Sequence, residues 1–184
     1  VIAPGFTIIS ARKRPEEVTT LCRAAISDPK NRARANFSLD YYDKPHTLLW
    51  NFYNGTFKSC GIGQGDYLLM FTADDRLMGG AGFYTYDDQY IMCMSRFYVM
   101  PGFENQWIGQ YLLQRMVDRS QGQKRKLLIT FNKYNKRIYD FYTDKVELLP
   151  PIWAHFKPMG QRTINHTEQF CCELDLKDLR HADM

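Results

Sequence analysis

Between Phe97 and Gly109 the chain passes from an apolar, strand-like segment across Pro101 and Gly102 towards a helix, and the residues at the junction are Glu104, Asn105, Gln106 and Trp107. A junction of this kind suits an anion. The first N–H groups of a helix lack intrahelical acceptors, and the dipole adds partial positive charge beside them. Glu104 is itself an anion, so its carboxylate is expected to accept N–H bonds at the helix start and to compete there with a phosphate. A second glycine-rich stretch, "GIGQG" (Gly61 to Gly65), precedes a strand instead of opening a helix and reads as a plain turn. The basic runs "ARKR", "KNRAR" and "KRK" can attract an anionic ligand but are dispersed, and each is more simply a solvated face.

The elements that must hold this junction follow from periodicity. Phe6 to Ser10 alternates as a first strand, and "RPEEVTTLCRAAIS" follows as a helix with Glu16 and Glu17 in its first turn. A polar loop runs to about Lys44, and "HTLLWNFYNGTF" reads as a second helix. From Asp66 the period becomes that of sheet. "DYLLMFTA", "RLMGGAGFYTY" and "QYIMCMSRFYV", separated by Asp74-Asp75 and Asp87-Asp88, form an antiparallel meander of three strands. The helix after the junction, from Trp107 to Gln121, carries Ile108, Leu112, Leu113, Met116 and Val117 on one face. Then come a strand "KLLITF", a helix "NKRIYDFY", and two late strands in "IWAHF" and "EQFCCELDL". This order implies an α+β domain with a mixed, mostly antiparallel central sheet flanked by helices. Residues 1–176 are expected to form a single domain and 177–184 a loose C-terminal tail.

Composition narrows the class. A chain of 184 residues that is 45% hydrophobic and 15% aromatic can bury a real core, and no apolar run approaches the roughly 20 residues of a membrane span. The N-terminal "VIAPGFTIIS" lacks the basic start of a signal peptide. Five cysteines without C-x-x-C spacing suggest reduced thiols in a cytoplasm, with neither a disulfide framework nor a metal site. With a net charge of only +4, no nucleic-acid or membrane partner is expected, while a homodimer stays open.

The junction resembles the GNAT superfamily of acyl-CoA-dependent N-acetyltransferases. Phe97, Val99 and Pro101 match its strand end, "IGQYLL" (Ile108 to Leu113) matches the start of its helix, and Asn135, Ile138 and Tyr142 match a later Asn/apolar/Tyr spacing. The loop departs from the family pattern. The usual Arg falls on Glu104 and the first signature Gly on Trp107, while Gly109 is kept; a shorter pattern uses Gln106 and Gly109.

The resemblance implies acetyl transfer from acetyl-CoA, as co-substrate, to the primary amine of an acceptor. It places the pyrophosphate on the loop and helix start (Glu104, Gln106, Trp107, Ile108, Gly109 and Gln110). The pantetheine and thioester fall beside backbone groups of Phe97, Tyr98 and Val99, with Asn135 on the pantetheine side. Lys133, Lys136 and Arg137 are in range of the nucleotide phosphates. Tyr142 falls where the family has a phenolic acid for the thiolate, although Tyr139, Phe141 and Tyr142 also make a core face. No base stands out. Gln89 to Met100 holds no carboxylate, which leaves Ser95, or less aptly Cys93, to order a water, with Tyr84, Tyr86, Asp87, His46 and His155 as further candidates. The altered loop keeps a second reading open, a catalytically impaired domain that serves as a binding or structural module.

Overall fold

The computed structural model describes residues 5–28, 65–104, 106–132, 135–164 and 166–180. Their elements, in chain order, are β1 (Thr7–Ser10), α1 (Glu16–Ser27), β2 (Asp66–Phe71), β3 (Leu77–Thr85), β4 (Tyr90–Val99), α2 (Ile108–Ser120), β5 (Lys126–Asn132), α3 (Lys136–Asp144), α4 (Pro151–Ala154), β6 (Lys157–Ile164), β7 (Thr167–Leu174) and α5 (Leu176–Arg180). The strands form one seven-stranded sheet in the order β1-β2-β3-β4-β5-β7-β6, antiparallel except between β4 and β5. This is the mixed, mostly antiparallel α+β architecture expected from the sequence. The expected polar loop and second helix before Asp66 lie outside the described residues. No described helix is long and apolar enough to cross a membrane.

The two faces of the sheet bury separate clusters. On one face α2 contributes Ile108, Leu112, Leu113, Met116 and Val117, and α3 adds Tyr139, against Met78, Phe83, Ile91, Leu127 and Ile129. On the other face α1 contributes Val18, Leu21 and Cys22 against Tyr67, Leu69, Tyr84, Met92, Leu128 and Cys171. The glycines of β3 let α1 approach closely. A Cβ on Gly80 would lie 2.8 Å from Leu68 O and 2.9 Å from Leu21 Cδ2. The far end of α2 is tied to β2 by Arg119, whose guanidinium donates to the buried Asp66 Oδ2 at 2.7 Å. Asp66 Oδ1 also accepts from the Ser10 hydroxyl and the Tyr67 N–H, each at 2.8 Å, so this buried carboxylate is fully bonded.

Two late elements differ from expectation. "IWAHF" is not a strand: Pro151 opens a single helical turn, Pro151–Ala154, which buries Ile152 and Trp153, and the strand follows at Lys157–Ile164. That strand was hidden because it is an edge, mostly exposed, with Pro158 and Gly160 and a register shift between Pro158 and Gln161. The expected loose tail is helical as far as Arg180, because Asp175 accepts the Lys177 N–H at 3.0 Å and Leu176 is buried. Residues 181–184 lie outside the described set.

Four strands are tied together on the α1 face. The Tyr90 hydroxyl on β4 donates to Glu173 Oε2 on β7 at 2.5 Å, and the Lys126 ammonium on β5 donates to Glu173 Oε1 at 3.0 Å. Arg162 on β6 reaches the Tyr90 oxygen at 3.3 Å. Burial pushes the Glu173 carboxyl up, but the Tyr90 hydroxyl and the Lys126 ammonium outweigh it and hold the carboxyl below its ordinary value. A depressed carboxyl stabilises the fold above its unfolded pKa of about 4.3, and that contribution is lost as pH falls through the folded value. The stability gap between wild type and Glu173→Gln, from urea unfolding, is therefore expected to shrink as pH drops from about 6 to below 4. A gap independent of pH would show that the carboxylate is not engaged in solution.

Candidate active site

The site begins with a strand that cannot stay regular. β4 pairs with β3 along nearly its whole length, but the register shifts between Gly82 and Tyr84 and again between Gly80 and Gly82. Each shift inserts one extra β4 residue, and Met94 (φ 56) and Arg96 (φ 54) take left-handed backbone there. The bulges expose backbone groups that side chains from neighbouring elements bond. The Met94 N–H lies 3.5 Å from the Met116 sulfur of α2, and the Arg96 carbonyl accepts from the buried Tyr67 hydroxyl at 2.7 Å.

On its other edge β4 pairs with β5 only at Tyr90–Lys126, Ile91–Leu127 and Met92–Leu128. Beyond that point β4 runs on to Val99, and β5 runs on to Asn132 while paired with β7. A fork therefore opens between two strands whose backbone edges no longer bond each other. Bulging accounts for it, since extra residues bend a strand and increase its local twist.

The mouth of the fork is the start of α2. Met100, Pro101, Gly102 and Phe103 make a tight turn, closed by the Phe103 N–H to the Met100 carbonyl at 3.1 Å, with Gly102 at φ 92. Glu104 does not cap the helix as the sequence suggested. Its Oε2 accepts from the Gly102 N–H at 2.9 Å, because the turn brings that donor back within reach of its own loop. Among the described residues no side chain caps α2, and the first N–H bonded within the helix is that of Tyr111, to Trp107 O at 3.2 Å. The helix start thus keeps the free donors and positive potential of an anion site.

Two aromatic side chains flank it. Phe97, 37% exposed, lays its ring against Gly109, where an added Cβ would sit 3.1 Å from Phe97 Cζ. Trp107, 46% exposed, is the residue before α2 and has φ 60. It stands where the resemblance puts a glycine, and it keeps a backbone conformation that glycine adopts without cost. Gln106 precedes it, Tyr98 and Val99 are half-buried at the strand end, and Gln110 lies in the first turn of α2.

Across the fork, Asn135 is the residue before α3, with no capping bond from its side chain. Tyr142 stacks on Trp153 at 4.5 Å between centroids and packs against Phe131 of β5 at 5.6 Å, beside the open part of that strand. Burial pushes the Tyr142 phenol up, so it holds its proton, and its hydroxyl makes no hydrogen bond with the described residues. Of the basic residues expected near the nucleotide, Lys136 is paired with Asp140 at 2.7 Å, Arg137 is exposed, and Lys133 lies outside the described residues.

The candidates for a base separate clearly. Cys93 is buried in the core and burial pushes its thiol up, which makes it inert. Asp87 accepts the Gln89 and Tyr90 N–H groups at 2.8 and 2.7 Å and serves its turn, while Tyr84 is buried under α1. His155 ends α4, and His46 lies outside the described residues. Ser95 is half-buried, paired opposite Gly82 between the bulges, and is the one hydroxyl-bearing candidate at the fork itself. Sequence reasoning missed Tyr67, Met116 and the Glu173 network. The run of Gly79, Gly80 and Gly82 inside β3 was the signal, since glycines within a strand mark bulges or close approach.

The family model described as "Acetyltransferase (GNAT) family" matches residues 29–145. No curated protein sequence matches the chain significantly. Among solved structures, an acetyltransferase from Streptococcus agalactiae superposes with a TM-score of 0.63 at 14% identity, covering 94% of this chain and 100% of that one. A variant of the spermidine N-acetyltransferase from Vibrio cholerae gives 0.62 at 11% identity, covering 99% and 100%. A GNAT-family acetyltransferase from Elizabethkingia anophelis, solved with acetyl-CoA bound, gives 0.56 at 16% identity, covering 95% and 100%.

Left-handed backbone at a non-glycine residue costs on the order of 1 kcal/mol, so Trp107→Gly is expected to leave stability unchanged or raise it by up to about 1 kcal/mol. Gln110→Gly, inside the same helix, should instead lose about 0.5 to 1 kcal/mol. Urea denaturation of both variants checks this, and equal losses would mean that the Trp107 indole contributes more by contact than its backbone costs.

Proposed function

The chain belongs to the GNAT family of acetyltransferases, and from that premise we propose that it transfers an acetyl group from acetyl-CoA to the primary amine of an acceptor. The observation that carries this is the fork between β4 and β5, which opens beside the uncapped start of α2. An elongated pantetheine arm fits between strand edges that offer backbone donors and acceptors, and a pyrophosphate fits the helix start. The acetyl-CoA held by the Elizabethkingia relative supports the same choice of co-substrate.

In this reading Ile108, Gly109 and Gln110 present N–H groups to the pyrophosphate, with Gln106 and Trp107 beside it and Glu104 bracing the loop. Phe97, Tyr98 and Val99 line one edge of the fork with their backbone, and Asn135 borders the other. The neutral amine attacks the thioester carbonyl carbon, and strand N–H groups stabilise the developing oxyanion. Collapse of that intermediate breaks the C–S bond, and Tyr142 supplies the proton that the departing thiolate takes up. The proton lost by the amine leaves through water, which Ser95 is placed to order.

Trp107 favours a second reading. An exposed indole at the phosphate-loop position suits a domain that has given up cofactor binding and serves as a binding module. Thermal unfolding separates the two. Acetyl-CoA at 100 times its dissociation constant is expected to stabilise the fold by about 2.7 kcal/mol, whereas no shift at millimolar acetyl-CoA favours the module. For the active enzyme, Tyr142→Phe is expected to lower turnover by roughly 10²-fold with little change in CoA affinity. Unchanged turnover would reduce Tyr142 to packing.

A further inference from the structure

The helices beside the proposed cofactor path, α2 and α3, pack on one face of the sheet, whereas α1 packs on the other. A thioester carried into the fork from the α2 side exposes its carbonyl towards the α1 face, and an acceptor amine must arrive there. The charges that β4 to β7 place on that face therefore bear on which acceptor fits.

The one carboxylate of the Tyr90 network, Glu173, is consumed. One oxygen takes the Tyr90 hydroxyl and the other the Lys126 ammonium. Arg162 differs. Among the described residues its guanidinium makes a single hydrogen bond, one N–H to the Tyr90 oxygen at 3.3 Å, and Glu173, whose carboxyl its charge helps to lower, lies beyond ion-pair distance. The side chain is half-buried, and a guanidinium has five donors, so most of its bonding capacity is unused. A partly buried cation in that state favours an anionic ligand, and its planar fork matches a carboxylate through two parallel bonds.

Its position is suitable. Tyr90, which it touches, lies on the α1 face two residues before Met92, where β4 and β5 part, a distance of about 7 Å along the strand. Arg96 lies in the second bulge of the same strand, and its positive charge acts on the Cys22 thiol of α1.

We propose that Arg162 recognises a carboxylate on the acceptor, so that the substrate is an amine bearing a free carboxylate and not a polyamine. This rests on the acetyltransferase reading above and specifies its acceptor. The acceptor's ammonium loses one proton to water and its nitrogen bonds to the acetyl carbon; the C–S bond then breaks, the departing thiolate takes the Tyr142 proton, and the second proton of the nitrogen leaves through water, from which the Tyr142 phenolate is reprotonated. The carboxylate stays intact throughout, held by Arg162.

The test measures CoA thiol release by the full chain with acetyl-CoA and paired acceptors: glycine, 4-aminobutanoate and 6-aminohexanoate, each beside its primary amide, with spermidine as a further arm. At least one acid is expected to exceed its amide in kcat/KM by roughly tenfold to hundredfold, the scale of a charged hydrogen bond. Arg162→Gln is expected to erase that preference through KM, and Arg162→Lys to restore part of it. A merely structural Arg162 would lower thermal stability and slow acids and amides alike, which overturns the proposal. So does a wild type that acetylates the amides or spermidine as well as the acids. If acetyl-CoA raises the melting temperature but no acid is acetylated, carboxylate recognition fails while the acetyltransferase reading stands. If acetyl-CoA produces neither stabilisation nor turnover, the reading itself fails and this inference falls with it.

Discussion

The structure depends on what β4 must do with its two edges. One edge bonds β3 almost throughout, and the other bonds β5 for three residues and then must let go. Two bulges reconcile these demands. Left-handed backbone at Met94 and Arg96 is costly for residues with side chains, on the order of 1 kcal/mol each, and a bulge leaves backbone groups without ladder partners. A buried carbonyl without a partner would add about 1 to 3 kcal/mol, so the Tyr67 hydroxyl on Arg96 O removes a penalty as large as the strain itself. Met116 serves the Met94 N–H from the opposite face. The bulged strand is thus stabilised by β2 on one side and α2 on the other, and the opening beside it follows from their packing.

Rigid elements at both ends of the opening give it a defined shape. At the closed end, Glu173 gathers Tyr90 and Lys126 across β4, β5 and β7. At the open end, α2 is fastened by its far terminus through Arg119 and the buried Asp66, and no side chain among the described residues caps its near terminus. A helix held at one end and uncapped at the other keeps its dipole and donors available. Phe97 and Trp107 add an apolar border, and the Phe97 ring packs closely on Gly109, where a Cβ would make the ring shift by a few tenths of an ångström.

Much of this was legible in the residues. The apolar runs between Asp66 and Val99, bounded by their Asp-Asp turns, and the apolar face of Ile108 to Val117 are strong local signals, because β2 and β3 are buried on both faces and α2 on one. The late strand escaped for the converse reason. Lys157–Ile164 is an exposed edge that carries Pro158 and Gly160, so it lacks the apolar signal, while Pro151 turned the more apolar "IWAHF" into a helical turn. Glu104 misled because proximity in sequence to a helix start does not decide which N–H a short side chain meets. The Pro101-Gly102 turn brought a nearer donor.

The sequence by itself determined the element types, the meander, the strand-to-helix junction and the residues around it, because these rest on propensities and spacings within a few residues. Tertiary structure alone decided where β4 and β5 part and which side chains bond the bulges. It also decided that Glu173 is consumed by Tyr90 and Lys126 while Arg162 keeps most of its donors. Those outcomes join residues 22 to 83 positions apart in the chain, and no local pattern encodes a bond whose partners meet only when the sheet is assembled.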